Sequence, residues 1–191
     1  MTTPQDVLDF WLEDCGPSDW YAQDDALDAR IRDRFMARWE EADDGGLGLW
    51  LTVPSEALAY IILVDQFPRN MFRNDPRAFQ SDPLARSAAK MAIDRDWDLR
   101  IDVPARQFFY LPLMHSENLT DQDRAVRLFH ARMPDSDNHV HARAHRQIIR
   151  DFGRFPYRNE ALGRQTTKDE QAFMDAGGYR AALQAAQTET A

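Results

Sequence analysis

Signals for the start of a helix recur along this 191-residue chain. Most pair a capping Thr, Ser or Asp with a proline or an acid in the next turn, which satisfies free backbone N–H groups and complements the helix dipole. They lie at Thr3-Pro4, Pro54, Ser81 to Pro83, Asp102 to Pro104, Thr120 to Asp123 and Thr167 to Glu170. Between them apolar residues recur at helical spacing, without strand-like alternation. The pattern predicts an all-α chain.

Two segments define how these helices pack. In Asp24 to Asp43 a stripe of apolar residues at every fourth position predicts an amphipathic, half-exposed helix. Pro54 to Asp65 is apolar in every direction around the axis, which predicts a helix buried on most sides. A strand at Ile61 to Val64 is the alternative, because these residues favour β-structure.

The helix count and the connections define the architecture. Seven to nine helices with short connections, and no low-complexity linker, predict a single domain over residues 1–191. Antiparallel helix pairs in series are typical of solenoid-like packing.

Charge and composition exclude several classes of function. The formal net charge of -9 disfavours binding to the phosphate backbone of nucleic acid. The single cysteine, Cys15, leaves no intrachain disulfide, and the first residues carry no basic segment. The apolar run from Ala57 to Val64 is far shorter than the roughly 20 residues that span a bilayer. We predict a soluble cytoplasmic protein with no membrane or nucleic-acid partner; the sequence does not predict its oligomeric state.

The predicted helix from His139 to Phe152 directs two imidazoles toward its apolar face. At about 100° per residue, His141 and His145 fall within the apolar arc, and three arginines, Arg143, Arg146 and Arg150, fall on the opposite side. Inward imidazoles need hydrogen-bond partners. They are structural, they line a ligand pocket, or they bind a metal, but the last needs further ligands that no motif supplies.

The segment "FFYLPLMHSEN" delivers His115, Ser116 and Glu117 directly after an apolar run that Pro112 is expected to kink. An imidazole and a carboxylate at a buried helix end are suited to general acid–base catalysis. The alternative is that Ser116 and Glu117 only terminate the helix. No Gly-x-Ser-x-Gly turn is present, so serine-hydrolase chemistry is poorly supported.

A third pattern occurs twice, as "QFPRN" from Gln66 to Asn70 and as "RFPYRN" from Arg154 to Asn159. In each, we expect Phe to anchor the chain, Pro to stop the helix, and the following Arg and Asn to project at a fixed angle. Such groups hold anions by charge-assisted hydrogen bonds, with Asp65 orienting one arginine. The alternative is helix capping and salt bridges between helices.

At "DQFPRNMFR", "FYLPLMHSE" and "HRQIIRDFGRFPYRN" the sequence resembles the bacterial domain-of-unknown-function 924 family, from "VLDFWL" to "EQAFM". The resemblance implies an all-helical, tetratricopeptide-like array closed into one globular domain. The family often has His where this chain has Tyr157, which argues against a mechanism that needs an imidazole there, and His141 belongs to none of the motifs. No reaction follows from the resemblance.

The three motifs together predict a polar pocket for a small anionic molecule, a phosphate or carboxylate compound, with acid–base or hydrolytic chemistry. The predicted catalytic residues are Asp65, His115, Glu117 and His145. The predicted ligand-binding residues are Gln66, Arg69, Asn70, Ser116, Arg154, Arg158 and Asn159. No cofactor and no metal ligand are predicted.

Two alternatives remain open. One is a noncatalytic tetratricopeptide-like module that binds a peptide in a groove, with the inward polar motifs as structural contacts. The other is a metal-dependent enzyme that uses His141, His145 and a carboxylate.

Overall fold

A computed structural model describes residues 2–188 of the chain. Every regular element in this range is helical, and no strand occurs in it. Joining segments that follow without a break gives nine helices in the described part of the chain. The predictions of an all-α fold and of the helix number are therefore confirmed, and the strand alternative at Ile61 to Val64 is wrong. None of the described helices is long and apolar enough to cross a membrane.

The chain divides into two compact units, Met1–Pro112 and Leu113–Ala191. The boundary falls within a short helix, α6 (Leu111–Met114). The single-domain prediction for residues 1–191 stays a prediction, and each unit is described by itself.

The first unit contains five α-helices, two π-helical segments and several 3₁₀ turns in its described part. The α-helices are Pro4–Leu8 (α1), Asp25–Asp43 (α2), Pro54–Ile61 (α3), Phe67–Met71 (α4) and Asp82–Asp94 (α5). The π-helical segments are Asp9–Asp14 and Ile62–Gln66, and the 3₁₀ turns are Gly48–Thr52, Pro76–Phe79, Asp98–Arg100 and Ala105–Phe109. Helix α2 packs on α4, and α3 packs on both α1 and α5.

A cluster of aromatic rings forms the core of this unit. The Phe67 ring centroid lies 4.7 Å from that of Phe35, 5.4 Å from Trp11 and 6.0 Å from Phe10, and all four side chains are fully buried. Phe67 therefore anchors the chain as predicted.

Pro68 does not stop its helix, so that part of the prediction is wrong. The π-helical segment Ile62–Gln66 joins α3 directly to α4, and Pro68 lies in the first turn of α4. A proline is tolerated there because the Val64 carbonyl, which an N–H at position 68 would otherwise bond, accepts the Ser81 hydroxyl at 2.7 Å. Residues 57–68 are all buried, as the uniformly apolar pattern predicted.

The second unit is built on four further helices, Leu119–Arg132 (α7), Asn138–Phe152 (α8), Lys168–Asp175 (α9) and Gly178–Thr188 (α10), with a 3₁₀ turn at Pro156–Arg158. Helix α8 packs against α7 on one side and α10 on another. Its core is formed by Ile148, Ile149 and Phe155, with partly buried aromatic residues around them.

Capping groups account for most of the helix limits. Thr3 and Thr167 each form a capping box, with Asp6 and Glu170, as predicted for Thr167. Gly153 ends α8 in the left-handed conformation, at φ 69°. Helix α7 is capped by Asn118 rather than Thr120, because the Asn118 side chain accepts the backbone N–H groups of residues 120 and 121. The sequence patterns did not predict α10, which follows the double glycine.

Candidate functional site

The first motif begins with a carboxylate inside the apolar core. Asp65 is 1% exposed and lies in the π-helical segment, where its side chain accepts a hydrogen bond from Gln66 Nε2. Arg69 Nη1 lies 3.4 Å from Asp65 Oδ1 and also donates to the Asp65 carbonyl oxygen. Asp65 therefore orients Arg69, as the sequence predicted. Single-turn π-helices occur often at functional sites.

Arg69 is also held from the opposite direction. Its Nη2 donates to both carboxylate oxygens of Asp82, at 3.0 and 3.2 Å, and its guanidinium lies 5.8 Å from the Phe79 ring centroid. The side chain keeps 21% of its surface exposed. Two acidic side chains thus fix the position of the guanidinium of this partly exposed arginine.

Asn70 belongs to a different set of contacts, which centres on Asp28 of α2. The buried Asp28 accepts a hydrogen bond of 2.8 Å from Asn70 Nδ2 and a two-pronged ion pair from Arg73 Nε and Nη2. A hollow of about 440 Å³ adjoins these residues and is lined by all three of them. The sequence patterns did not single out Asp28, because an acid on an amphipathic helix is usually solvated.

In the second motif, Ser116 shapes the turn that leads into α7. Its hydroxyl donates to Asp121 Oδ2 at 2.9 Å and accepts the Asn118 N–H at 3.2 Å. Gln122 Nε2 donates to the carbonyl oxygens of Met114 and Ser116. Ser116 is thus used in ending one helix and starting the next.

Glu117 holds the third motif in place. Its carboxylate accepts the backbone N–H of Phe155 at 2.9 Å and a two-pronged ion pair from Arg164, at 2.7 and 3.0 Å. Burial alone raises the pKa of Glu117, but the bonds from Arg164 and Phe155 and the nearby charge of Arg158 outweigh it and leave that pKa below its ordinary value. Glu117 is therefore an ionised anchor at neutral pH.

Arg154 and Asn159 both converge on Glu170, the buried acid of the α9 capping box. Arg154 Nη2 donates to Glu170 Oε2 at 2.8 Å, and Asn159 Nδ2 lies 3.2 Å from the same oxygen. The hydrogen bonds from Arg154 and from the Thr167 backbone lower the pKa of Glu170 to about 2. The buried Asn159 Oδ1 has no hydrogen-bond partner among residues 2–188.

The remaining predicted residues of this unit lie around the Phe155 ring. The Arg158 guanidinium carbon lies 4.5 Å from the ring centroid, and the His145 ring meets it edge-on at 5.4 Å and 79°. Arg158 Nη1 donates to the carbonyl oxygen of His115 at 3.0 Å. We call this arrangement of His115, His145, Phe155 and Arg158 the Phe155 corner.

His145 is a neutral imidazole at this corner. Its Nδ1 lies 2.9 Å from the carbonyl oxygen of His141, which only a protonated Nδ1 can satisfy, so the neutral ring carries its lone pair on Nε2. Burial lowers the pKa of His145 to about 3, despite the opposing hydrogen bond to His141, and the charges of His115 and Arg158 add to the lowering. Nε2 has no hydrogen-bond partner within residues 2–188.

Tyr179 of α10 joins the two predicted histidines of α8. Its hydroxyl bonds His141 Nδ1, and its ring centroid lies 4.8 Å from that of His145. Burial raises the pKa of Tyr179 to about 12, so the phenol stays protonated. Sequence patterns missed Tyr179 because α10 itself was not predicted.

The alternative metal site at His141 and His145 has no third ligand. Among residues 2–188 there is no group of three or more His, Cys, Asp or Glu side chains that could hold a metal ion. The Nδ1 atoms of the two histidines face a hydroxyl and a carbonyl.

Each unit thus brings together its own share of the predicted residues. Asp65, Gln66 and Arg69 form one group in the first unit, with Asn70 at Asp28. The predicted residues of the second unit lie around Phe155, at Glu170 and in the turn before α7. The convergence of the first motif with the other two stays a prediction.

With these motifs placed, the chain can be compared with known proteins. A family model described as "Bacterial protein of unknown function (DUF924)" matches residues 7–178. The chain belongs to this family. A solved structure, described as a protein of unknown function, ATU0120, from Agrobacterium tumefaciens, has 39% identity and a TM-score of 0.85, over 91% of this chain and 97% of that one. No curated protein matches. The resemblance is confirmed, and none of these descriptions names a reaction.

The pKa of His145 makes stability depend on pH in a defined direction. Because the folded-state pKa of about 3 lies below the ordinary 6.5, the unfolded chain binds more protons between these values. The free energy of unfolding should fall as the pH drops from 6.5 toward 3, with a contribution of up to about 1.4 kcal/mol per pH unit from this residue. Urea unfolding of the wild type and His145→Asn across this range measures it.

Asparagine is the matched replacement because its amide can still donate toward the His141 carbonyl. The pKa values of His139 and His141 are also lowered by burial, so both proteins lose stability on acidification. The difference between them isolates His145. Identical slopes for the two proteins would contradict a neutral, enclosed His145.

Proposed function

We propose that this protein binds a small anionic molecule, a phosphate or carboxylate compound, at the Phe155 corner. The observation that carries this proposal is the packing of Arg158 and His145 on one ring, with Arg158 also bonded to the His115 carbonyl oxygen. Charge, hydrogen-bond donors and an imidazole acceptor are thereby grouped in one place, the composition expected of a site for an oxyanion.

The fixed position of Arg158 supports this proposal. The side chain is 8% exposed and is held by the Phe155 ring and the His115 carbonyl, so little rotamer entropy remains to be lost on binding. A guanidinium presents its donors in a planar fork that matches carboxylate and phosphate oxygens. Binding of an anion therefore carries only a small entropic cost for ordering the Arg158 side chain.

The local potential is a second support. The charges of His115 and Arg158 help to lower the pKa of His145, which means that this imidazole lies in a positive field. A bound anion would reduce that field and raise the pKa of His145. A base with a pKa of about 3 accepts few protons at neutral pH, so the anion itself would bring His145 closer to the range useful for acid–base chemistry.

The first motif contributes a second arginine that could bind an anion. Arg69, held between Asp65 and Asp82, keeps 21% of its side-chain surface exposed and is a second candidate for anion binding. Glu117 serves as the ionised anchor of the corner rather than as an acid.

We also propose that the protein is cytoplasmic, in line with its single, buried cysteine. Cell fractionation tests this location.

Titration with inorganic phosphate, sulfate and citrate tests the proposal. We expect saturable thermal stabilisation of the wild type by at least one of them, following RT ln(1 + [L]/Kd). Arg158→Gln should weaken that binding by about tenfold or more, since it removes a charge-assisted contact, and Arg158→Lys should retain part of it. Calorimetry at constant ionic strength gives the affinities.

Arg127→Gln is the control, because Arg127 is an exposed arginine of α7 in the same unit and its loss changes the net charge equally. Circular dichroism confirms that each variant is folded. An affinity that falls equally in Arg127→Gln and Arg158→Gln would reject the corner as the binding site.

A noncatalytic interaction module with a peptide partner is the second candidate. It is favoured by the number of motif side chains that are already bonded to other side chains of the protein, as in Asn70 with Asp28, Glu117 with Arg164, and Arg154 with Glu170. The same titration separates the candidates. A folded wild type that shows no saturable response to any small anion would favour the interaction module.

A further inference from the structure

Another hollow, in the second unit, lies among α8, α9 and α10, and none of the predicted site residues lines it. Its volume is about 440 Å³, within the range of about 300–1,000 Å³ typical of small-molecule sites. The apolar side chains that line it are Ile148, Phe173, Ala181, Ala182, Ala185 and Ala186. The charged side chains that line it are Arg143, Arg146, Arg150 and Asp151. We call it the α8–α10 hollow.

The rim of the hollow is rich in guanidinium groups. Arg146 and Arg150 approach the same carboxylate, Asp123 Oδ1, at 3.5 and 3.6 Å. Asp151 Oδ1 accepts a hydrogen bond of 2.8 Å from Gln147. Two guanidiniums that share one carboxylate are incompletely neutralised, and this contrasts with the net charge of -9 of the chain.

The effect of this excess of positive charge is clearest at Arg146. Burial lowers the pKa of Arg146, and the neighbouring Arg150 and Arg143 lower it further, while Asp123 opposes the change. Its Nε atom is buried and has no hydrogen-bond partner in the described part of the chain. A buried donor without a partner costs free energy, and it shows that Asp123 does not satisfy all the donors of Arg146.

The floor has the opposite chemistry. Four of its six apolar residues are alanines of α10, whose short side chains leave the space open, and the partly buried Phe173 supplies larger apolar surface, whereas Ile148 is 1% exposed. A purely polar anion would leave this floor unused, and a neutral apolar molecule would leave the rim unpaired. Both surfaces are satisfied together only by a molecule with an apolar body and an anionic end.

We propose that the α8–α10 hollow binds an amphiphilic anion, a carboxylate carried on an aliphatic or aromatic body. The apolar body would lie on the α10 alanines and Phe173, and the carboxylate would meet Arg146 and Arg150. This site is separate from the Phe155 corner, because its arginines lie on the other side of α8 from His141 and His145, and it stands even if the corner binds nothing.

Decanoate is the probe, used below its micellar range. We expect saturable binding by calorimetry, with no comparable binding of decyltrimethylammonium, which has the same apolar chain and the opposite charge. Acetate, which lacks the body, should bind far more weakly. The double variant Arg146→Gln/Arg150→Gln should lower decanoate affinity by about tenfold or more.

A second variant tests the floor without touching charge. Ala185 is exposed on α10, so Ala185→Leu should fold normally while filling part of the hollow, and it should also weaken decanoate binding by about tenfold. Arg127→Gln is the control for charge and should bind decanoate as the wild type does. Phosphate binding at the Phe155 corner should be unchanged in Ala185→Leu, which keeps the two proposals distinguishable.

Three results would overturn the proposal. Decanoate affinity unchanged in both test variants places the ligand elsewhere. Equal binding of decanoate and decyltrimethylammonium indicates nonspecific detergent association. Saturable binding of poly-glutamate but not of decanoate assigns the hollow to an acidic protein segment instead.

Discussion

Phe155→Ala is expected to lower the free energy of unfolding by about 3–5 kcal/mol, the usual cost of truncating a fully buried aromatic side chain. Phe155 is 0% exposed and belongs to the core of the second unit with Ile148 and Ile149. Its ring also contacts Arg158 and His145, so both groups lose their support in the variant. Guanidinium denaturation followed by circular dichroism measures the change.

Phe155→Leu separates the two roles of this side chain. Leucine keeps much of the apolar volume, so we expect a smaller loss of stability, about 1–2 kcal/mol. It removes the aromatic face under Arg158, so anion affinity at the Phe155 corner should fall although the protein remains folded. A Phe155→Ala variant that loses less than about 1 kcal/mol would contradict the role of Phe155 as the anchor of this corner.

Asp28→Ala is the second large effect that we expect, a loss of about 3 kcal/mol or more in the free energy of unfolding. Asp28 is 5% exposed and accepts hydrogen bonds from both Asn70 and Arg73. Removing one partner of a buried ion pair leaves the other charge uncompensated, at a typical cost of about 3–5 kcal/mol. The partial exposure of Arg73 places this case at the lower end.

A double-mutant cycle identifies the source of that loss. Arg73→Ala should be coupled to Asp28→Ala by about 1.5–3 kcal/mol, because each single change removes the same charge-assisted contacts. Asp33→Ala, at an exposed position of the same helix, is the control and should change stability by no more than about 0.5 kcal/mol. Strictly additive effects of Asp28→Ala and Arg73→Ala would show that the pair does not act as a unit.

Local sequence patterns correctly predicted most of the helices. They failed where the hydrogen bonds depart from the usual α-helical pattern. Thr167 with Glu170 and the left-handed Gly153 are local devices, and both limit helices as predicted. At Pro68 the same kind of reasoning failed, because the Ser81 hydroxyl replaces the missing N–H as the donor to the Val64 carbonyl. Whether a π-turn forms depends on packing around Phe67, which no local pattern encodes.

In the candidate site too, the sequence predicted individual residues but not the groups that they contact. The motifs identified Arg69, Glu117 and Arg158 as candidate site residues, and each has a bonding partner in the structure. The partners themselves were mostly missed. Asp82 lies 13 residues from Arg69 and Arg164 lies 47 residues from Glu117, so no spacing rule connects them.

By itself the sequence determined the helical class, the burial of the segment after Pro54 and the residues that carry polar chemistry into the core, because capping, periodicity and side-chain polarity act over a few positions. Only the tertiary structure decided which charges neutralise each other, which imidazole remains neutral and where Arg146 and Arg150 share one carboxylate. Those outcomes depend on distances of a few ångströms between helices remote in sequence, and they set the pKa values of the buried groups.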